Sequence, residues 1–204
     1  MTAKESQKSA EAPPILVVQG SPRRGGNSRR LLDEVLAPIA ERGIPVETLV
    51  LRDLKVSPCL AIEACMRTGA CAIDDDMTWI YPRLLEARVL IVATPIHFYG
   101  PSALLKAFID RCQALWARKY VLGRAPGQDG RRGYLVATAA TRGQKLFDGL
   151  LLTMRYFFDV LGLENAGEIL VRGVDAAGEI ENRPEELARA RRLGEEMAEF
   201  VSAG

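Results

Sequence analysis

Short apolar runs alternate with helical segments along most of the chain, and this alternation limits the folds that are open to it. The apolar runs, rich in β-branched and aliphatic residues, cover residues 15–19, 45–51, 89–93, 134–138 and 166–171. Apolar residues at helical spacing occupy residues 27–42, 76–87, 101–117, 144–161 and 184–201. Near-continuous apolar strands separated by helices are typical of a parallel sheet that is covered on both faces. We therefore predict an α/β fold, a doubly wound sheet of five parallel strands with right-handed crossovers.

This domain is expected to run from residue 15 to residue 204, with no repeat or linker. Residues 1–14 are mostly polar and small and end in two prolines, which predicts a flexible tail. A chain of this size buries roughly 70% of its unfolded surface, so its core needs no disulfide or metal.

The charge balance and the lengths of the apolar runs exclude two classes of partner. Lys and Arg total 27 against 26 for Asp and Glu, and this balance argues against a nucleic-acid-binding protein. The apolar runs are far shorter than the ~20 residues of a membrane-spanning helix, and no signal peptide is visible. We predict a cytoplasmic protein with no membrane partner, in which clustered cysteines serve metal or redox chemistry.

The loop after the first strand has the composition of a phosphate-binding loop. It reads GSPRRGGNS over residues 20–28 and combines glycines, hydroxyls, an arginine and the start of a helix. It lacks the lysine of a nucleoside triphosphate loop, and no GxGxxG motif is present, so a single terminal phosphate suits it best. The alternative is that the glycines only form a turn and that Ser or Asn caps the helix.

Two further loops follow strands and predict a site for a flat ring. The segment TPIHFYGPSALLKAFIDR, residues 94–111, exposes apolar and aromatic side chains opposite the phosphate loop. The segment TAATRG, residues 138–143, is made largely of small residues that let the backbone approach the same ring from the side.

From residue 15 to about residue 171 these segments resemble the flavodoxin-like NAD(P)H-dependent FMN reductases, a group that includes iron–sulfur flavoproteins and multimeric quinone reductases. The resemblance implies strand order 2-1-3-4-5, FMN as cofactor and NAD(P)H as co-substrate. It implies that the FMN phosphate is held by Ser21, Arg23, Asn27 and Ser28. It implies that the isoalloxazine is lined by Pro95, Ile96, His97, Phe98, Tyr99 and Gly100. The pyrimidine side would be completed by Thr138, Ala139, Ala140, Thr141 and Gly143.

Three cysteines lie in a segment that resembles the cluster motif of iron–sulfur flavoproteins. That motif has cysteines at relative positions 0, 3, 6 and 12, and this chain has Cys59, Cys65 and Cys71 at 0, 6 and 12 but Ile62 at 3. A four-iron cluster needs four ligands and isoleucine cannot ligate iron, so we predict no stable iron–sulfur cluster. The alternatives are a three-iron cluster, an acid such as Glu63 or Asp74 as substitute ligand, or a loop over the flavin edge with packed or redox-sensitive thiols.

Several other residues have both a functional interpretation and a structural or coincidental one. Cys112 and Arg118 match a phosphatase spacing, but they lie in a predicted helix without glycine, which indicates coincidence. His97 is the only histidine and is either structural or a proton donor to a reduced acceptor. The loop arginines either meet the 2′-phosphate of NADPH or keep their loop solvated; they are Arg124, Arg131 and Arg132.

The leading hypothesis is an FMN-dependent oxidoreductase that transfers hydride from NAD(P)H through bound FMN to a small acceptor such as a quinone or another flavin. One alternative is an electron-transfer flavoprotein that accepts electrons from a ferredoxin-like partner, which needs a working cluster. Another is a scaffold protein that has lost FMN. The resemblance also implies a homodimer or homotetramer, with Trp79, Trp116 and the 118–132 loop as contacts.

Overall fold

A computed structural model of the protein describes residues 13–203, so residues 1–12 of the predicted tail lie outside the described residues. The sheet consists of β1 (Ile15–Gln19), β2 (Val46–Val50), β3 (Val89–Pro95), β4 (Arg132–Ala139) and β5 (Glu164–Arg172). All four strand pairs are parallel and the order is β2-β1-β3-β4-β5. Both the predicted fold class and the predicted strand order are confirmed.

Helices cover both faces of this sheet. They are α1 (Asn27–Glu41), α2 (Ala64–Thr68), α3 (Met77–Glu86), α4 (Ala103–Arg111), α5 (Gln113–Trp116), α6 (Asp148–Val160) and α7 (Pro184–Ser202). The helix predicted over 101–117 is divided at Cys112, and the short helix α2 lies where the sequence analysis predicts none. In the part of the chain that the structure describes, no helix is long and apolar enough to span a membrane.

Two apolar layers form the core, one on each face of the sheet. Along β1, Ile15 and Val17 face the layer with α1 and α7, whereas Leu16 and Val18 face the layer with α3, α4 and α6. This alternation follows from the two-residue period of a strand, and it explains why the strand is apolar throughout. Each fully buried side chain of this kind contributes roughly 1.5–3 kcal/mol to folding.

The parallel sheet brings the carboxyl ends of its strands to one edge. Gln19 at the end of β1 pairs with Ala93 of β3, and Pro95 at the end of β3 pairs with Thr138 of β4. The loops that follow these strands therefore lie side by side. Residues 118–131 precede β4, which places them at the amino edge, on the opposite side of the sheet.

Candidate functional site

A cleft of about 170 Å³ lies at the carboxyl edge, among the loops that follow β1, β3, β4 and β5. Its lining residues are Ser21, Pro22, Arg23, Gly26, Asn27, Ser28, Pro95, Ile96, His97, Thr138, Ala140, Val174 and Asp175. Residues predicted from three separate motifs thus meet at one cleft. The predicted residues that are absent from its lining are Phe98, Tyr99, Gly100, Ala139, Thr141 and Gly143.

The loop after β1 leaves the start of α1 open. Gly26 is the N-cap residue, no side chain caps the helix, and no acidic residue lies in the first turn. The Ser21 hydroxyl instead donates to the carbonyl of Arg23 and accepts from its amide, both at 3.2 Å. The first amides of a helix lack intrahelical acceptors and carry the positive end of its dipole. The start of α1 is therefore suited to an anion, and the alternative of a helix capped by Ser or Asn does not describe this loop.

A close contact between β1 and α4 shapes the same loop. A Cβ atom at Gly20 would lie 2.8 Å from the Cβ of Leu105, so only glycine fits without a shift. The buried hydroxyl of Ser102 donates to the Gly20 carbonyl at 2.5 Å and accepts from the Leu105 amide at 3.2 Å. The start of α4 thus fixes the position from which the 20–28 loop departs.

Asn27 and Arg23 both reach the segment that follows β5. The Asn27 side chain donates to the Ala176 carbonyl at 3.0 Å and accepts from the Ile180 amide at 3.3 Å. Both ends of this buried amide are engaged, so Asn27 holds the 174–180 segment against α1. Arg23 is 63% exposed and donates from Nη1 to the Asp175 carbonyl at 2.9 Å, which places its charge at the mouth of the cleft.

A tight turn forms the rim of the cleft after β3. His97 and Gly100 exchange backbone hydrogen bonds at 3.0 Å, and Phe98 and Tyr99 between them have φ of +48° and +64°. Two left-handed central residues define a type I′ turn, which favours Asn-Gly because other side chains cost roughly 1–2 kcal/mol there. The Phe98 side chain is fully exposed. The turn therefore projects its aromatic tip away from the cleft, while His97, which is also exposed, remains in the lining.

The loop arginines are absent from the lining of the cleft. Arg131 is 3% exposed and donates to the carbonyls of Ala87, Leu161 and Pro126 at 2.7, 2.8 and 3.0 Å, and also to Leu84. Burial lowers its pKa to about 10. The guanidinium of Arg132 lies over the ring of Phe200, and Arg124 donates to the Thr68 carbonyl. The burial of Arg131 contradicts both interpretations of this residue, because a guanidinium inside the fold neither keeps the loop solvated nor meets a phosphate.

Cys112 lies at the junction of α4 and α5 and is 2% exposed. Its thiol donates to the Phe108 carbonyl at 3.5 Å, and burial raises the pKa of this thiol well above its usual range. A buried, protonated thiol on a helix cannot act as the nucleophile of a phosphatase. The match to that spacing is therefore a coincidence.

Cys59, Cys65 and Cys71 line a second cavity, of about 370 Å³, together with Ile62 and Glu63. The thiols are free, and burial raises the pKa of Cys65. Within residues 13–203, no group of three His, Cys, Asp or Glu side chains is placed to hold a metal ion. The donor set is three thiols and an aliphatic side chain, which does not fit a four-iron cluster.

The residues of the first cleft can be set beside those of known proteins. Residues 13–148 match the family model of the NADPH-dependent FMN reductases. The chain belongs to this family. The resemblance seen in the sequence is thereby confirmed.

Several known proteins are similar to this chain in sequence or in fold. The chain is 36% identical over 141 residues to an iron–sulfur flavoprotein of Archaeoglobus fulgidus, covering 68% of this chain and 69% of that protein. It is 36% identical over 113 residues to an iron–sulfur flavoprotein of Methanosarcina thermophila, covering 55% of this chain and 59% of that one. Its fold is that of an NAD(P)H:quinone oxidoreductase from Methanothermobacter marburgensis, with a TM-score of 0.65 at 20% identity over 92% of this chain and 96% of the other.

Sequence reasoning missed two parts of the site. Val174 and Asp175 line the cleft but belong to no motif, because they reach it only through the return of the chain after β5. The hydrogen bonds between the Asn27 side chain and the 174–180 segment depend on the same return of the chain. The predicted homodimer or homotetramer stays a prediction.

Proposed function

We propose that the chain is an FMN-dependent oxidoreductase that passes hydride from NAD(P)H, through FMN held in the cleft, to a small acceptor such as a quinone. The observation that carries this proposal is the uncapped start of α1, which faces a cleft bordered by two serine hydroxyls and the Arg23 charge. Membership of the FMN reductase family and the fold shared with a quinone oxidoreductase support it.

The parts of the cleft suit the parts of FMN. The amides at the start of α1 and the hydroxyls of Ser21 and Ser28 would bind the phosphate, with Arg23 adding a charge at the mouth. A cleft of about 170 Å³ is too small to enclose a whole nucleotide, so the isoalloxazine would lie at its open rim. There Pro95–His97 and the Thr138–Ala140 stretch would hold it from two sides, leaving a face open to NAD(P)H and then to the acceptor.

FMN supplies the hydride chemistry when it is bound, and the chain binds and orients it. No nucleophilic side chain is required at the cleft. The imidazole of His97 lines the cleft and is exposed to solvent, which places it to give a proton to a reduced acceptor. We therefore assign His97 as the candidate proton donor.

Replacing Arg23 by alanine tests the phosphate site. A hydrogen bond to a charged group contributes about 1.5–3 kcal/mol, but the Arg23 side chain is 63% exposed and therefore partly screened. We expect roughly tenfold weaker FMN binding, measured by fluorescence titration of the apoprotein. Arg24→Ala is the matched control, because Arg24 lies in the same loop, is 76% exposed and contacts Asp53 rather than the cleft. Equal FMN affinity in Arg23→Ala and the unaltered chain would contradict the phosphate assignment.

The reaction itself is tested by the anaerobic spectrum of the holoprotein. The flavin bands should bleach on addition of NAD(P)H and return on addition of a soluble quinone. The second candidate is an electron-transfer flavoprotein that is reduced by a ferredoxin-like protein, and the relatives named iron–sulfur flavoproteins are compatible with it. Reduction by such a donor, and not by NAD(P)H, would establish that alternative. A chain that does not bind added FMN would contradict both.

A further inference from the structure

One buried arginine holds both ends of the cysteine segment. The side chain of Arg111 is 0% exposed, and its Nη1 donates to the Ser57 carbonyl at 2.9 Å and to the Asp75 carboxylate at 2.6 Å. Its Nη2 donates to the Ile73 carbonyl at 3.1 Å and to Asp75 at 3.2 Å. The Ser57 and Met77 amides also donate to Asp75, at 2.9 and 3.0 Å. These contacts close residues 57–75 into a loop.

The backbone inside this loop is held in an unfavourable conformation on both sides of Ile62. Ala61 and Glu63 have φ of +51° and +62°, where a residue other than glycine costs roughly 1–2 kcal/mol. Between them, Ile62 is 55% exposed and lines the same cavity as the three cysteines. The surrounding contacts thus present residue 62 to the cavity at the expense of local strain.

The acids near the cavity differ in their ability to replace a missing thiolate. The Asp74 carboxylate accepts from the Thr78 hydroxyl at 3.1 Å and does not line the cavity. Asp110 lines it but is paired with Lys106 at 2.6 Å. Glu63 lines the cavity as a hard oxygen donor, whereas iron–sulfur clusters are held mainly by thiolates.

We propose that Ile62 is the residue that keeps a four-iron cluster out of this cysteine loop. The natural chain offers three thiols at this cavity, and Ile62→Cys completes the ligand set. The inference about metal content is independent of the proposed function. Its consequence, that electrons in this chain reside on the flavin alone, rests on that function.

The test compares metal binding by three full-length proteins: the natural chain, Ile62→Cys and Leu60→Cys. Each is incubated without oxygen with ferric iron, sulfide and a dithiol, then desalted. Each ligating cysteine gives its proton to solvent, and the dithiol reduces part of the ferric iron. Leu60 is the matched control, because it is 64% exposed and lines the same cavity but stands outside the ligand spacing.

Iron and acid-labile sulfide per chain are the readouts, with visible absorbance and FMN content measured on the same samples. We expect about four irons and four sulfides in Ile62→Cys and a background level in the other two proteins. Three or four irons in the natural chain would overturn the proposal, because Ile62 would then exclude nothing. Equal iron in Leu60→Cys and Ile62→Cys would overturn it as well, and so would an iron-free Ile62→Cys protein with an unchanged melting temperature. Failure of all three to bind FMN would contradict the proposed function, while the iron counts would still decide this inference.

Discussion

Replacing Asp75 by asparagine tests the contact that closes the cysteine loop. The side chains of Asp75 and Arg111 are 1% and 0% exposed, so the substitution leaves a buried guanidinium without its counter-charge. Removal of one partner of a buried ion pair costs about 3–5 kcal/mol, because the remaining charge stays desolvated. For a chain of this length each kcal/mol lowers the melting temperature by about 2–4 °C, which predicts a fall of roughly 6–20 °C.

Urea unfolding at neutral pH, followed by circular dichroism, measures this loss directly. Asp74→Asn is the control, because the neighbouring carboxylate is exposed and accepts a hydrogen bond from Thr78. It should change the free energy of unfolding by no more than about 0.5 kcal/mol. A loss of unfolding free energy below about 1 kcal/mol for Asp75→Asn would refute the reasoning. The ion pair between Asp75 and Arg111 would then be neither desolvated nor needed to close the loop.

The pH dependence gives an independent check on the same carboxylate. Burial alone would raise the pKa of Asp75, but hydrogen bonds from Arg111 and from the Ser57 and Met77 amides outweigh burial and lower it. A carboxylate with a lowered folded-state pKa contributes stability above its unfolded pKa of about 3.9, and this is lost as the pH falls through the folded value. The difference in stability between the natural chain and Asp75→Asn should therefore shrink below about pH 4. A difference that widens in acid would contradict the assigned direction.

Two further substitutions test the loops of the cleft. Gly20→Ala should destabilise the protein by about 1–3 kcal/mol in urea unfolding, because the new Cβ would lie 2.8 Å from that of Leu105. Gly25→Ala should be nearly neutral, because no atom lies within 4 Å of the new Cβ. Equal losses of stability at the two sites would show that the contact with Leu105 is not the cause. Phe98→Asn should raise the melting temperature, since asparagine tolerates the left-handed turn position and Phe98 loses no buried contact. A lower melting temperature would contradict this reasoning.

The meeting of the three loops at one edge could be predicted before any coordinates were known. Parallel strands place their carboxyl ends together, so the segments after Gln19, Pro95 and Ala139 had to be neighbours. The direction of individual side chains could not be predicted in the same way. Phe98 and Tyr99 belong to the expected ring-binding segment, yet a type I′ turn aims Phe98 into solvent, and this turn has no Asn-Gly signature.

The contacts of two long polar side chains could not be predicted from the sequence either. Arg131 sits in a loop rich in glycine and arginine that reads as solvated, and its burial depends on carbonyls of α3 and of the turn after α6. Asn27 lies in the phosphate loop as expected, but its side-chain amide donates to the carbonyl of Ala176, 149 positions further along the chain.

The sequence by itself determined the local chemistry: the apolar periods that make the sheet, the glycines and hydroxyls before α1, and a cysteine segment with isoleucine at one ligand position. These depend on residue type and on neighbours a few positions away. Only the tertiary structure decided that Arg111 closes the cysteine loop from 36 residues beyond Asp75, and that the segment after β5 completes the cleft. Such contacts form because polar groups that are buried together must pair with each other. Which groups are buried together is determined only when distant elements pack against each other.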